Sequence, residues 1–205
     1  MILNKAILIL GPTGSGKTPL GALIEKKGLA GRRCFHFDFG ENLRAIGKSN
    51  QPDKHFLDEE IAFINKVLDS NALLEDKDFP LACKILDWFI ERHHIKTDDL
   101  IILNGLPRHI GQAKGMDSIL EIEKVILLNC TSEAVRARIR KNAGGDRSGR
   151  ADDSAAEVEN KINLFSWRTP ELLRHYRSAG KEIITIEVRE NDTAEDMLKA
   201  LNNHP

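Results

Sequence analysis

Aliphatic residues fall in short continuous blocks along this chain, at positions 3–10, 33–37, 100–103, 125–128 and 182–187. A short apolar run bounded by turn signals suits a strand buried on both faces. Between most of the blocks the apolar residues recur at helical spacing. This alternation predicts an α/β fold with a mainly parallel sheet and helices on both of its faces. Ligands of such sheets bind beyond the carboxyl ends of the strands.

Two segments interrupt the alternation. Residues 40–92 carry about three helical patterns with no strand between them, which reads as a helical insertion. Residues 142–153, NAGGDRSGRADD, combine glycine and charge without apolar periodicity and read as a loop. A solvated connector is the plain alternative for that loop.

Composition narrows the function classes. Hydrophobic residues make up 41% of 205, enough for a core in one α/β domain. Lys and Arg number 30 against 31 Asp and Glu, for a net charge of −1, so no basic surplus argues for a nucleic-acid partner. Cys34, Cys83 and Cys130 lie far apart and read as free thiols of a reducing compartment. The first residues form a strand pattern, without the charged and small-residue flanks of a secretory signal. No apolar run approaches the roughly 18 to 20 residues needed to cross a bilayer. A soluble, cytoplasmic protein without a membrane partner is expected.

The first block runs directly into Gly11-Pro12-Thr13-Gly14-Ser15-Gly16-Lys17-Thr18, which fits G-x-x-x-x-G-K-[ST]. Context decides whether such a match counts. Here a strand pattern precedes it, and a helical stretch ending in Lys26 and Lys27 before Gly28 follows it. Glycines let the backbone wrap an anion with its N–H groups turned inward, and the helix N-terminus adds its dipole. Lys17 then reaches the outer phosphates and Thr18 holds Mg²⁺.

Phosphoryl transfer asks a protein mainly for positioning and positive charge, which the planar arginine fork supplies well. Arg44 closes the segment CFHFDFGENLR, and Arg108 follows the strand-to-turn segment ILNGLP, with Gln112 beyond it. Arg136, Arg138 and Arg140 share one predicted helix, although positions two apart do not share a face. Arg147 and Arg150 sit in the glycine-rich loop, ahead of Asp152 and Asp153.

These motifs together resemble the adenylate kinases and their nucleoside monophosphate kinase relatives over nearly the full chain. GENLR is similar to the family's T-G-D-x-L-R, and LNGLPRHIGQA to its D-G-[FYI]-P-R-x-x-x-[NQ]. GRADD is similar to G-R-x-D-D, and TPELLRHY to T-x-P-x-x-x-x-Y. The resemblance implies a three-layer P-loop kinase domain over 1–205 with a five-stranded sheet. Its core would comprise 1–39, 72–141 and 154–205, with a nucleoside-monophosphate-binding insertion at 40–71 and a short, zinc-free lid at 142–153. It also implies a monomer that uses ATP, Mg²⁺ and a nucleoside monophosphate, AMP being favoured.

Site roles follow from the resemblance residue by residue. The loop Gly11 to Thr18, with Arg138 and Arg147, would bind ATP. Lys17, Arg108, Arg138, Arg150 and Lys161 would serve phosphoryl transfer. Asp38, Phe39, Gly40, Arg44, Gly105, Arg108 and Gln112 would form the acceptor site, with Gln112 reading the base through its amide. Thr18 would hold the metal directly and Asn104 through water.

Several positions depart from the family pattern. Phe39 stands where a threonine is usual and Asp38 where a serine is common. Asn104 replaces an aspartate, keeping an oxygen but losing a charge. Lys161 replaces an arginine, keeping the charge but losing the fork. Asn142 stands in place of another arginine, with Arg147 nearby as a substitute. Three readings therefore stay open. One is a divergent working kinase. A second is a kinase with a changed acceptor, with Asp38 on a hydroxyl and Phe39 against a ring. The third is a nucleotide-binding protein with little turnover. The histidines show no metal-ligand spacing, and Trp88 and Trp167 are expected to pack helices.

Overall fold

The computed structural model of the chain describes residues 3–49, 53–70, 74–146 and 154–204. Five strands form one sheet: β1 (Asn4–Leu10), β2 (Cys34–Asp38), β3 (Leu100–Asn104), β4 (Leu120–Asn129) and β5 (Glu182–Glu187). Their order is β2-β3-β1-β4-β5 and every pairing is parallel. The expected α/β architecture and the five strand positions are therefore observed. β4 is longer than its apolar block, because Leu120 and Ile122 are buried while Glu121 between them is exposed. That half-polar start alternates with period two and does not read as a continuous apolar run.

Both faces of the central strands are covered, which explains their unbroken hydrophobicity. Along β1, Ala6, Leu8 and Leu10 enter one core while Ile7 and Ile9 enter the other. The second core is closed by α1 (Lys17–Lys27) and α8 (Ala194–Asn202), which supply Leu20, Ile24, Met197 and Leu201. The first is closed mainly by α4 (Phe79–Arg92), α5 (Ile110–Met116) and α7 (Ala155–Ser178), through side chains such as Ile85, Phe89, Met116 and Leu172. Helix α6 (Ser132–Lys141) joins β4 to the segment before α7.

The strand-free region holds α2 (Phe39–Gly47) and α3 (Asp58–Ser70), followed by a short 3-10 turn and α4. Three helices without a strand are what the pattern at 40–92 predicts. Asp38 caps α2 by accepting the Glu41 N–H, and three carboxylates open α3, as its dipole favours. Lys84 of α4 bonds Glu60 of α3 at 2.6 Å, and the Trp88 indole N–H donates to Asp53 at 2.8 Å. Trp88 thus packs as expected, whereas Trp167 is 76% exposed on α7 and joins no core. Among the described residues no helix is long and apolar enough to cross a membrane. All the cysteines are free.

Candidate functional site

Parallel strands point their carboxyl ends the same way, so β1, β2 and β3 deliver Leu10, Asp38 and Asn104 to one edge of the sheet. The chain turns from β1 through the phosphate-loop motif into α1. Gly14 and Gly16 hold φ of +74° and +101°, a left-handed region that side-chain-bearing residues rarely adopt. A Cβ at Gly16 would also stand 2.7 Å from the Met197 methyl, so the loop lies tight against α8. The Lys17 ammonium folds back onto the loop's own carbonyls, Gly11 O at 2.7 Å and Pro12 O at 2.8 Å. Ser15 is fully buried, and its hydroxyl has no partner among the described residues.

The loop faces a cavity of about 290 Å³. Gly11, Thr13, Gly14, Gly16, Lys17 and Thr18 line one wall of it. Asp38, Gly40 and Arg44 come from the β2–α2 junction, and Asn104, Gly105 and Arg108 from the turn after β3. Lys161 reaches it from α7. Residues far apart in sequence thus meet at one cavity. Arg108 is steadied by its Nε, which donates to Gly105 O at 2.7 Å.

Four expectations meet a different geometry. Arg138 does not reach over the cavity: it is 2% exposed, and its guanidinium donates to backbone carbonyls of Gly14, Arg189 and Asp192 at 3.1, 2.8 and 2.7 Å. It ties the phosphate loop to the turn after β5. Phe39 is not in the main cavity but in the core, as the first residue of α2, its ring 6.1 Å from that of Phe37. Gln112 is 1% exposed and both ends of its amide are engaged. Its Nε2 donates to Leu74 O at 2.9 Å, and its Oε1 accepts the Arg108 N–H at 2.8 Å. Asn104 presents its nitrogen, not its oxygen, to the metal-side groups: Nδ2 donates to Asp38 Oδ2 at 2.7 Å and Thr18 Oγ1 at 3.1 Å. Arg147 and Arg150, and Asp152 and Asp153 after them, lie outside the described residues.

One cation at the site escaped the sequence reading. Arg168 lines the cavity, with Nη2 3.2 Å from Glu75 and Nη1 buried without a hydrogen-bond partner among the described residues. Lys161, Phe165, Arg168 and Leu172 fall at i, i+4, i+7 and i+11 along α7, which places them on one face. That spacing from Lys161 was the available signal. Lys17, Arg44, Arg108, Lys161 and Arg168 face Asp38 and Asp146 across the cavity, so its charge favours an anion.

The Asp38 carboxylate accepts bonds from several elements of the site. Besides Asn104, its Oδ2 accepts the Thr18 hydroxyl at 2.7 Å, and its Oδ1 accepts the Glu41 N–H at 3.0 Å. Burial pushes its pKa up, but the Thr18 and Glu41 donors outweigh that and hold it below the usual carboxylate value. A threonine hydroxyl backed by a carboxylate suits Mg²⁺, a hard cation that takes oxygen donors and keeps several waters. Among the described residues no three His, Cys, Asp or Glu side chains gather into a protein-only metal cage, and Mg²⁺ bound with phosphates does not need one.

No family model matches the chain. Curated relatives do. The chain is 30% identical over 183 residues to an adenylate kinase of Stenotrophomonas maltophilia, covering 85% of this chain and 86% of that one. It is 27% identical over 199 residues to an adenylate kinase of Rickettsia bellii, covering 84% and 86%. It is 25% identical over 183 residues to one of Prochlorococcus marinus, covering 87% of each.

Proposed function

The chain belongs to the adenylate kinase family, and from that premise we propose that it transfers the γ-phosphoryl group of ATP to a nucleoside monophosphate. AMP is the acceptor in this reading and two ADP are the products. The observation that carries it is the single cavity where the phosphate loop, Arg44 and Arg108 converge from different strand ends. A phosphate loop alone fits any nucleotide-binding protein. Two further arginines facing the same space fit a second phosphate group, because the guanidinium fork grips phosphate oxygens in pairs.

Lys17 exchanges its two loop carbonyls for the outer phosphates of ATP, an exchange of neutral acceptors for charged ones. Arg44 and Arg108 hold the acceptor phosphate, with Nη1 of Arg168, which has no hydrogen-bond partner among the described residues, as a third donor toward it. Lys161, together with Arg150, supplies positive charge toward the transferred group. Thr18 would hold a Mg²⁺ ion bound with ATP, and that ion would supply positive charge against the charge developing on the phosphates. An acceptor phosphate oxygen then forms a bond to the γ-phosphorus as the bond to the β-bridging oxygen breaks. Exclusion of water directs the group to the acceptor. The enzyme works in this reading as a cytoplasmic monomer.

A second reading is favoured by one observation. Phe39, Leu74, Leu106 and Gln112 line a side cavity of only about 20 Å³ next to the main one. That holds about one water molecule, not a base. An acceptor without a base at that position, bound wholly in the main cavity, fits this closed geometry directly. AMP instead requires Gln112 to release Leu74 O and pair with the base.

A coupled assay of ADP formation with AMP, CMP, UMP, GMP and dTMP tests both readings. Activity greatest with AMP is expected. ADP formation with none of the five overturns the nucleotide acceptor, and turnover with a small alcohol instead supports the second reading.

A further inference from the structure

Asp38 and Asn104 sit side by side on paired strands, in register at the carboxyl ends of β2 and β3. The Thr18 hydroxyl, expected to ligate Mg²⁺ from the loop, donates to Asp38 at 2.7 Å. Asn104 donates to the same carboxylate oxygen at 2.7 Å. A threonine whose oxygen binds a metal must direct its proton elsewhere, and here that proton points at Asp38. The amide nitrogen of Asn104 is already turned toward Asp38 and Thr18, and an amide cannot replace a negative charge. Capping α2 occupies only Oδ1, through the Glu41 N–H. It does not account for two further donors converging on Oδ2.

We propose that Asp38 is the carboxylate of the Mg²⁺ site, accepting from Thr18 and from metal-bound water, and that Asn104 positions it from the neighbouring strand. The negative charge of the site has thereby moved one strand across the sheet, from the end of β3 to the end of β2. This rests on reading the loop as an ATP site, and it is independent of which acceptor is used. It departs from the expectation that Asp38 holds an acceptor hydroxyl, because Oδ2 faces the loop threonine.

The test measures metal binding without acceptor or turnover. Mn²⁺ is titrated by electron paramagnetic resonance into the protein saturated with a non-hydrolysable ATP analogue. Asp38→Asn keeps the size of the side chain and its capping ability. It should weaken Mn²⁺ about ten- to hundredfold, the usual loss on removing a partner behind a metal ligand. The double variant Asp38→Asn/Asn104→Asp returns the charge to the same rung of the sheet and should recover most of that loss. A purely structural cap predicts no such recovery.

Parent-like Mn²⁺ affinity in Asp38→Asn, with the analogue still bound, overturns this proposal alone. So does a loss that tracks a lowered melting temperature of the nucleotide-free protein and is not recovered in the double variant. A parent protein that binds no analogue overturns the ATP reading and this proposal with it.

Discussion

Arg138 brings a full charge to a place that is 2% exposed, and it is tolerated there because backbone carbonyls surround it. Removing it leaves those carbonyls short of donors and opens a gap between the phosphate loop and the turn at Arg189–Asp192. Arg138→Ala is expected to lower unfolding stability by about 3 kcal/mol, the upper end for one charged hydrogen-bonding group, and to weaken ATP binding with it. Denaturant unfolding checks the first and calorimetric titration the second. Lys17→Ala should behave oppositely, with stability kept and ATP binding lost, since Lys17 lies on the cavity wall. If both variants lose stability alike, the division between strut and ligand is wrong. The sequence displayed both residues as cations near phosphate motifs. It could not separate them, because Arg138's partners are backbone carbonyls of Gly14 and of the turn at Arg189 to Asp192, which no side-chain pattern marks. Asn104 shows the same limit: which amide end faces Asp38 is a matter of contact and not of residue type.

At the scale of elements, sequence patterns carried the most. Buried parallel strands show as apolar blocks because both faces are covered, and all five blocks became strands. The phosphate loop was legible since its glycines, lysine and threonine are local in sequence. The stripe of α7 that adds Arg168 was not, since it requires knowing which helical face meets the cavity. The opposite ends of β2 and β3 offer a control for the site. There Arg33 meets Asp99 at 2.9 and 3.1 Å, far along the strands from Asp38 and Asn104. The Arg33 hydrogen bond foremost, with the Lys96 N–H, outweighs burial and holds Asp99 below the usual carboxylate pKa. A folded value below the unfolded one stabilises the fold above the ordinary carboxylate range, and this is lost as pH falls through the folded value. Asp99→Asn should therefore lower the melting temperature at neutral pH and flatten its decline in acid, with nucleotide binding unchanged. A variant whose acid profile matches the parent's would remove Asp99 from this role.

For the molecule as a whole, the cavity lies between the carboxyl edge of the sheet and helices α2 and α3 of the insertion, whose Leu43, Ile46, Ile64 and Val67 pack into the first core. Helix α2 starts at the Asp38 cap and buries Phe39, Leu43 and Ile46 in the core, and α3 is joined to α4 through Lys84 and Glu60. Behind α3, Leu74 O is held by Gln112, whose other end fixes the Arg108 backbone. Arg108 and Gln112, the acceptor cation and base-reading amide of the proposed reaction, are thus joined by one hydrogen bond. If AMP is the acceptor as proposed, a base that takes the Gln112 N–H now held by Leu74 O would release the chain at Leu74. The expected motion is local to that insertion, because β1 and β3 are buried on both faces and make no comparable exchange. Hydrogen exchange with and without a two-substrate analogue of ATP joined to AMP tests this. Amides of α3 and of Leu74 and Glu75 should change protection, while those of β1 and β3 stay as they are. The same experiment with ATP alone should leave α3 unchanged, since Lys17 and Thr18 belong to the start of α1. Equal exchange of α3 in all states would mean that the small cavity beside Gln112 never opens. The acceptor would then have to fit beside Asp38, Arg44 and Arg108 without a base reaching Gln112.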